Sequence, residues 1–212
     1  MIPTKIKEII DKKGFKELRP SQKKSIDAGL FEGKNLLVCT PTASGKTLVG
    51  ELSIVQHVLN GKKGVYIVPL RALASEKFKH FKKEYPEFNV KVSSGEVDSA
   101  DRFLNDADII ITTSEKMDSL TRHRAEWINK LGVIVIDEIH LLNDQSRGPT
   151  LEVVITLLRK NLKNIQVIGL SATIGNPKEL ASWLNAELIE DSWRPVELKK
   201  GVYFEGEIDF SN

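Results

Sequence analysis

The chain has one cysteine, Cys39, among its 212 residues. No internal disulfide can form, so the fold has to be held by packing, which fits a reducing, cytoplasmic setting. No apolar run approaches the ~18–20 residues that span a bilayer. The opening MIPTKIKEIIDKKG carries no hydrophobic block of the kind found in signal peptides, so neither membrane insertion nor export is expected. Neither sign of charge dominates: 31 Lys and Arg against 29 Asp and Glu leave a net charge of +2. That balance does not mark a nucleic-acid binder, and any such surface must be local or built from backbone groups. Aromatic residues make up only 7% and form no series on which bases would stack; Trp127 and Trp183 are expected in the core or at an interface. Internal repeats and low-complexity tracts are absent too. What remains is an ordinary globular composition, 41% hydrophobic and 28% charged, long enough for one large domain or two small ones.

Short runs rich in Val, Ile and Leu recur along it: NLLVC (35–39), GVYIVP (64–69), VKVSS (90–94), DIIITT (108–113), VIVID (133–137) and QVIGLSA (166–172). Near-continuous apolar runs are the mark of parallel strands buried on both faces. Segments of helical period lie between them. Residues 46–59 place Leu48, Leu52, Val55 and Leu59 on one face; residues 70–83 offer Leu70, Leu73, Phe78 and Phe81; residues 150–162 supply Leu151, Val154, Ile155, Leu158 and Leu162. This alternation predicts an α/β domain with a mostly parallel sheet and right-handed crossovers, whose ligands sit at the C-terminal ends of the strands. The expected organisation is a helical lead-in over 1–34, broken around Gly14 and Pro20, a sheet domain over 35–192, and a linker or terminal strand over 193–212.

TPTASGKT (40–47) follows the first strand and opens the first long helix, the context a phosphate-binding loop requires. Backbone N–H groups at that helix N-terminus would hold phosphates, Lys46 would reach the β/γ-phosphates and the Thr47 hydroxyl would bind Mg²⁺. Thr40 occupies the place of the first glycine of the usual pattern. By itself the segment also reads as a strand–turn–helix with an exposed lysine. VIVIDEIH (133–140) places Asp137 and Glu138 at the end of a later strand. One carboxylate plus phosphate oxygens and water satisfies Mg²⁺, making Asp137 the metal partner, and Glu138 is placed to deprotonate an attacking water. Acidic residues there also serve as helix caps, and His140 alone is as readily structural.

The ordered set of TPTASGKT, DEIH and SAT (171–173) resembles the first RecA-like motor domain of a DExH-box superfamily 2 helicase. Over nearly its whole length the chain is most similar to the archaeal HELQ-type DNA-repair helicases, with the superkiller-type RNA helicases close by. The resemblance implies a RecA-like three-layer, P-loop NTPase fold and ATP with Mg²⁺. It implies that Gln22 in LRPSQ reads the adenine edge, and that Thr42, Ala43, Ser44, Gly45, Lys46 and Thr47 surround the phosphates, with Thr40 a mild departure. Lys46, Asp137 and Glu138 become the catalytic set, with His140 contacting the SAT segment or a partner domain. Ser171, Ala172 and Thr173 would couple nucleotide state to strand grip.

PLRALASEK and TTSEKMDSL resemble segments that hold the sugar-phosphate backbone, naming Pro69, Arg71, Thr113, Ser114 and Lys116; Arg71 and Lys116 are otherwise ordinary solvated charges. Arg102, Arg122 and Arg124 would add positive charge. The implied partners are single-stranded nucleic acid, DNA rather than RNA and tracked 3′ to 5′, and a second RecA-like domain supplying an arginine finger. Alone, the chain is expected to bind nucleotide with weak or absent turnover. A nucleotide-dependent clamp without turnover, or an RNA helicase of the same superfamily, are the alternatives; a transporter ATPase would need an LSGGQ-like signature.

Overall fold

The computed structural model describes residues 2–14, 17–95, 102–196, 200–204 and 206–211. Seven strands form one sheet in the order β3-β4-β2-β5-β6-β1-β7: β1 (Leu36–Cys39), β2 (Lys63–Val68), β3 (Val90–Ser93), β4 (Ile109–Thr113), β5 (Leu131–Ile136), β6 (Gln166–Ser171) and β7 (Glu187–Glu190). Every pairing in it is parallel. The six strands expected from apolar runs are all present. The seventh, ELIE, was not legible: it is an edge strand with only Ile189 buried, and an edge needs no continuous apolar run. Beyond it, β8 (Lys200–Phe204) and β9 (Glu207–Ser211) pair as a separate antiparallel hairpin.

Side chains alternate between the two faces of each strand, and both faces are covered. Leu36, Val38, Tyr66, Val68, Val133, Val135, Ile168 and Leu170 pack in one core with α1 (Thr4–Lys12), α2 (Pro20–Asp27), α3 (Lys46–Leu59) and α4 (Arg71–Glu84). Leu37, Val65, Ile67, Ile134, Ile136 and Val167 pack in a second core with α5 (Ser114–Arg122), α6 (Gly148–Asn161) and α7 (Pro177–Leu184). This is the three-layer RecA-like arrangement. The expected helix faces are largely the buried ones, with one exception. Leu70 is 49% exposed because it is the N-cap of α4, turned out at the strand end rather than lying on the helix face. Of the two tryptophans expected in the core or at an interface, Trp127 is buried and Trp183 is 36% exposed on α7. No described helix is long and apolar enough to cross a membrane.

One polar cluster is built into the first core. Glu51 on α3 is 3% exposed. It takes hydrogen bonds from the Tyr85 hydroxyl at 2.9 Å and lies 2.7 Å from His80 Nε2 and 3.5 Å from Lys13 Nζ. Lys13 also pairs with Glu84 at 2.7 Å. Burial pushes the Glu51 carboxyl up, but the His80, Lys13 and Tyr85 contacts outweigh it and hold it below its ordinary 4.5. The network ties α1, α3 and α4 together directly behind the phosphate loop. A folded-state value below the unfolded one contributes stability at neutral pH that is lost as pH falls through the lowered value. Glu51→Ala strands partners of a buried ion pair, an expected cost of about 3 kcal/mol, which should lower Tm at pH 7 by roughly 6–12 °C. Thermal melts of both chains from pH 7 down to pH 3 check this, and the gap between them should shrink on acidification.

Candidate functional site

Parallel strands deliver all their following loops to one edge, and the residues singled out by sequence meet there. The loop after β1 is closed by its own hydroxyls. Thr40 is fully buried, its Oγ1 lies 2.7 Å from Ser44 Oγ, and its N–H donates to the Ser171 carbonyl at 3.2 Å. Glycine's freedom is therefore not needed at position 40. The left-handed residues lie further on, at Ala43 (φ 66°) and Gly45 (φ 90°). A Cβ on Gly45 would meet Gln22 Nε2 at 2.5 Å as well as falling in a strained conformation. Thr42 and Ala43 are exposed, Ser44 is buried, and Thr47 is half-buried at the start of α3.

Residues from the N-terminal segment brace this loop. Gln22 Nε2 donates to the Gly45 carbonyl at 3.0 Å, and its Oε1 accepts from Arg19 N at 2.9 Å. Arg19 Nη1 donates to the Ala43 carbonyl at 2.5 Å, and its guanidinium lies 5.5 Å from the Trp193 ring centroid. Gln22, Arg19, Gly45, Thr47 and Lys77 line a cleft of about 370 Å³ beside the loop. Arg19 was not singled out by sequence; its place inside LRPSQ was the available signal.

Asp137 sits one residue past β5, where its N–H continues the sheet ladder to the Ile67 carbonyl at 2.9 Å. Its Oδ2 accepts from the Tyr66 hydroxyl at 2.9 Å and lies 3.8 Å from Lys77 Nζ. Tyr66 also hydrogen-bonds Thr47, so one phenol joins the two residues expected at Mg²⁺. Burial first, and then the Asp137 charge, push that phenol well above its ordinary value, so it stays a proton donor. Tyr66 and Lys77, like Arg19, are site residues that sequence missed. A lone tyrosine in a buried aliphatic strand was a signal, because its hydroxyl needs a partner.

Glu138 follows in a left-handed conformation (φ 51°), and its carboxylate faces Lys46 Nζ at 3.8 Å and His140 Nδ1 at 3.3 Å. Lys46 is only 8% exposed. His140 Nδ1 is also 3.4 Å from Ser171 Oγ, so the imidazole joins the DEIH and SAT segments, and Glu138 in turn faces Lys46 of the phosphate loop. Ser171 is buried and Ala172 half-buried, while Thr173 is exposed at the rim of a neighbouring hollow with Cys39 and Pro41. Burial and the nearby Glu190 push the Cys39 thiol up to about 11, which leaves it a neutral packing group. The oxygen donors Thr47 and Asp137 suit a hard cation. Among the described residues no cluster of three or more His, Cys, Asp or Glu could hold a metal alone, so bound phosphate and water would have to complete a shell.

Beside this site, past β2 and β4 on the same edge, lies a cleft of about 430 Å³. Pro69, Leu70, Arg71, Ser94, Gly95, Thr113, Lys116 and Arg147 are among its lining. Of the residues expected to hold a strand, Pro69, Arg71, Thr113 and Lys116 are brought together here. Lys116 is only 6% exposed, so it is not an ordinary solvated charge. Ser114 is buried and lies behind the cleft, in a small pocket with Asp137 and Glu138. Arg122 is paired with Asp118 at 2.8 Å. Tyr66→Phe keeps the ring and removes the hydroxyl between Thr47 and Asp137. Affinity for Mg²⁺–nucleotide is expected to fall about tenfold, the scale of one hydrogen bond to a charged group, with EDTA-treated affinity unchanged. Titration of a fluorescent ATP analogue under both conditions measures it.

Residues 19–180 match the DEAD/DEAH box helicase family. The ATP-dependent DNA helicase Hel308 of Methanococcus vannielii is 55% identical across 99% of this chain, which covers 29% of that relative. Its counterpart from Methanocaldococcus jannaschii is 54% identical across 98% of the chain, which covers 18% of it. Among solved structures, the DUF1998 helicase MrfA bound to DNA and AMPPNP superposes over 90% of this chain and 29% of its own, with 28% identity and a TM-score of 0.77. The chain thus spans less than a third of each of these relatives. With the family match running through the phosphate loop, the DEIH and SAT segments and the cleft, the chain belongs to the DEAD/DEAH box helicases.

Proposed function

We propose that this chain is the ATP-binding motor domain of a superfamily 2 DNA helicase, one that couples ATP hydrolysis to movement along a single strand in the 3′-to-5′ direction. The observation that carries it is the convergence of Lys46, Glu138, His140 and Ser171, on the same sheet edge as a cleft lined by Arg71 and Lys116. The amides opening α3 and the Lys46 ammonium would hold the phosphates. Mg²⁺, when bound through Thr47 and Asp137, would offset charge on the phosphate oxygens. Tyr66 orients both of those residues from behind. Glu138 takes the proton of the attacking water, with the Lys46 ammonium 3.8 Å from its carboxylate. Gln22 and Arg19 set the loop beside the cleft in which the base would lie, and Gln22 would read the adenine edge.

His140 reaches both Glu138 and Ser171, so a change at the phosphates would pass to β6. The strand would be gripped by its backbone, which predicts little base preference and strong salt dependence. A second RecA-like domain would supply an arginine finger, a group worth ~10³–10⁵ in rate; this part rests on the family resemblance. DNA rather than RNA is proposed because the relatives above are named DNA helicases.

The test is ATP binding and steady-state hydrolysis by the 212-residue chain, with and without single-stranded DNA or RNA of the same sequence. Lys46→Ala is expected to abolish measurable nucleotide binding. Glu138→Gln should retain binding and lose whatever turnover the parent shows. An unchanged rate in Glu138→Gln would leave only a clamp without hydrolysis. Turnover strongly stimulated by DNA in the chain alone would remove the need for a second domain, and failure to bind nucleotide would overturn the whole reading.

A further inference from the structure

We propose that Arg147 is a strand-sensing residue: it takes a backbone phosphate in the cleft and, from the same position, transmits strand occupancy to the carboxylates of Asp137 and Glu138. The proposal rests on the reading of this chain as a strand-gripping motor domain.

Arg147 lines the 430 Å³ cleft together with Arg71 and Lys116. It also lines the small pocket behind, with Asp137, Glu138 and Ser114. Among the other cleft residues only Pro69 does both, and it carries no charge. Arg71 and Lys116 face the cleft alone. The cleft also contains Glu115, so its positive character depends on all three cations rather than on any one.

The loop that presents Arg147 is built to a fixed shape. Asp144 Oδ1 accepts from Ser146 Oγ at 2.6 Å, from Ser146 N at 2.9 Å and from Arg147 N at 2.9 Å. These bonds hold its carboxyl down at about 2, the Ser146 hydroxyl contributing most. The Gly148 N–H returns to the Asp144 carbonyl at 2.9 Å. A Cβ on Gly148 would lie 2.2 Å from the Leu142 carbonyl oxygen, so the backbone passes too close for any other residue.

On this rigid turn Arg147 is half-buried; its charge bears on Asp144, but among the described residues no side-chain hydrogen bond engages its fork. Other arginines here are engaged: Arg19 by the Ala43 carbonyl, Arg122 by Asp118 and Arg159 by the Trp183 carbonyl. A planar fork of donors held partly out of water with its hydrogen bonds unmade by this chain is positioned for an oxyanion from outside it. In the cleft that oxyanion is a phosphodiester. With the fork neutralised by phosphate, the field at Glu138 and Asp137 changes, which is the physical link between strand and hydrolysis.

The experiment is fluorescence anisotropy of a labelled single-stranded DNA across a salt series, alongside titration of a fluorescent ATP analogue with and without that DNA. For Arg147→Ala the expected result is DNA affinity weakened about tenfold and a log K against log salt slope shallower by about 0.7, one phosphate on a single strand. Removing the charge alters the field at Asp137 and Glu138 as a bound phosphate would, so nucleotide affinity without DNA should move toward the parent's DNA-bound value, and the further effect of DNA on it should be lost. Arg71→Ala should weaken DNA binding but keep that coupling, because Arg71 does not reach the carboxylate pocket. Arg147→Lys retains the charge without the fork and should keep the salt slope while losing most of the coupling; it decides the matter if the alanine variant lacks a normal melting transition. Parental DNA affinity and slope in Arg147→Ala would overturn this inference and leave the motor-domain reading intact. Parental coupling in both variants would overturn the sensing role. Absence of DNA binding by the parent chain at low salt would overturn both.

Discussion

Everything at the working edge depends on the backbone bond from Asp137 N to the Ile67 carbonyl, 2.9 Å long. It extends the β2–β5 ladder one residue beyond the strand, so an acidic residue is held with the rigidity of a sheet although it lies outside it. Because every strand in the seven-stranded sheet is parallel, the loops after β1, β2, β4, β5 and β6 all emerge at that edge. The strand order then decides which loops are neighbours. β5 lies between β2 and β6, with β4 beyond β2 and β1 beyond β6. The acidic loop is thus flanked by the cleft on one side and by the SAT segment and phosphate loop on the other. No separate device is needed to bring the acidic loop and the cleft together.

The groups around the phosphate loop are held before any ligand arrives. Thr40 is tied to Ser44, Gln22 to Gly45 and Arg19 to Ala43, and the Glu51 network fastens the helices behind. Donors and charges fixed in advance cost little reorganisation when charge shifts during reaction. On the proposed reading, motion in the cycle lies elsewhere, and His140 is its joint: its one Nδ1 faces both Glu138 and Ser171 and can satisfy only one at a time as a donor.

What could be read from the sequence follows from where periodicity speaks. Buried parallel strands must be apolar on both faces, so six of them were plain; β7, pairing on one side only, had no such requirement. Motif residues were legible because phosphate and metal chemistry admit few residue types. The supporting residues were not. Tyr66 reads as one more core residue until β2 and β5 are seen side by side, which places its hydroxyl against an aspartate from a strand 71 positions away. Lys77 ends PLRALASEK yet reads as solvated until α4 is packed over β2. Leu70 satisfied the helical period yet turned outward, since a cap residue does not share the direction of the helix it precedes. Arg147 carries no periodicity at all, and only the fold places it between two pockets.

The left-handed backbone of Glu138 has a cost. A non-glycine residue in that conformation gives up about 1–2 kcal/mol, and the short 3₁₀ turn from Ile139 to Asn143 can begin only after it. The fold itself would be better served by glycine there. On the proposed reading, that strain is stability given up to hold a carboxylate beside Lys46 and His140.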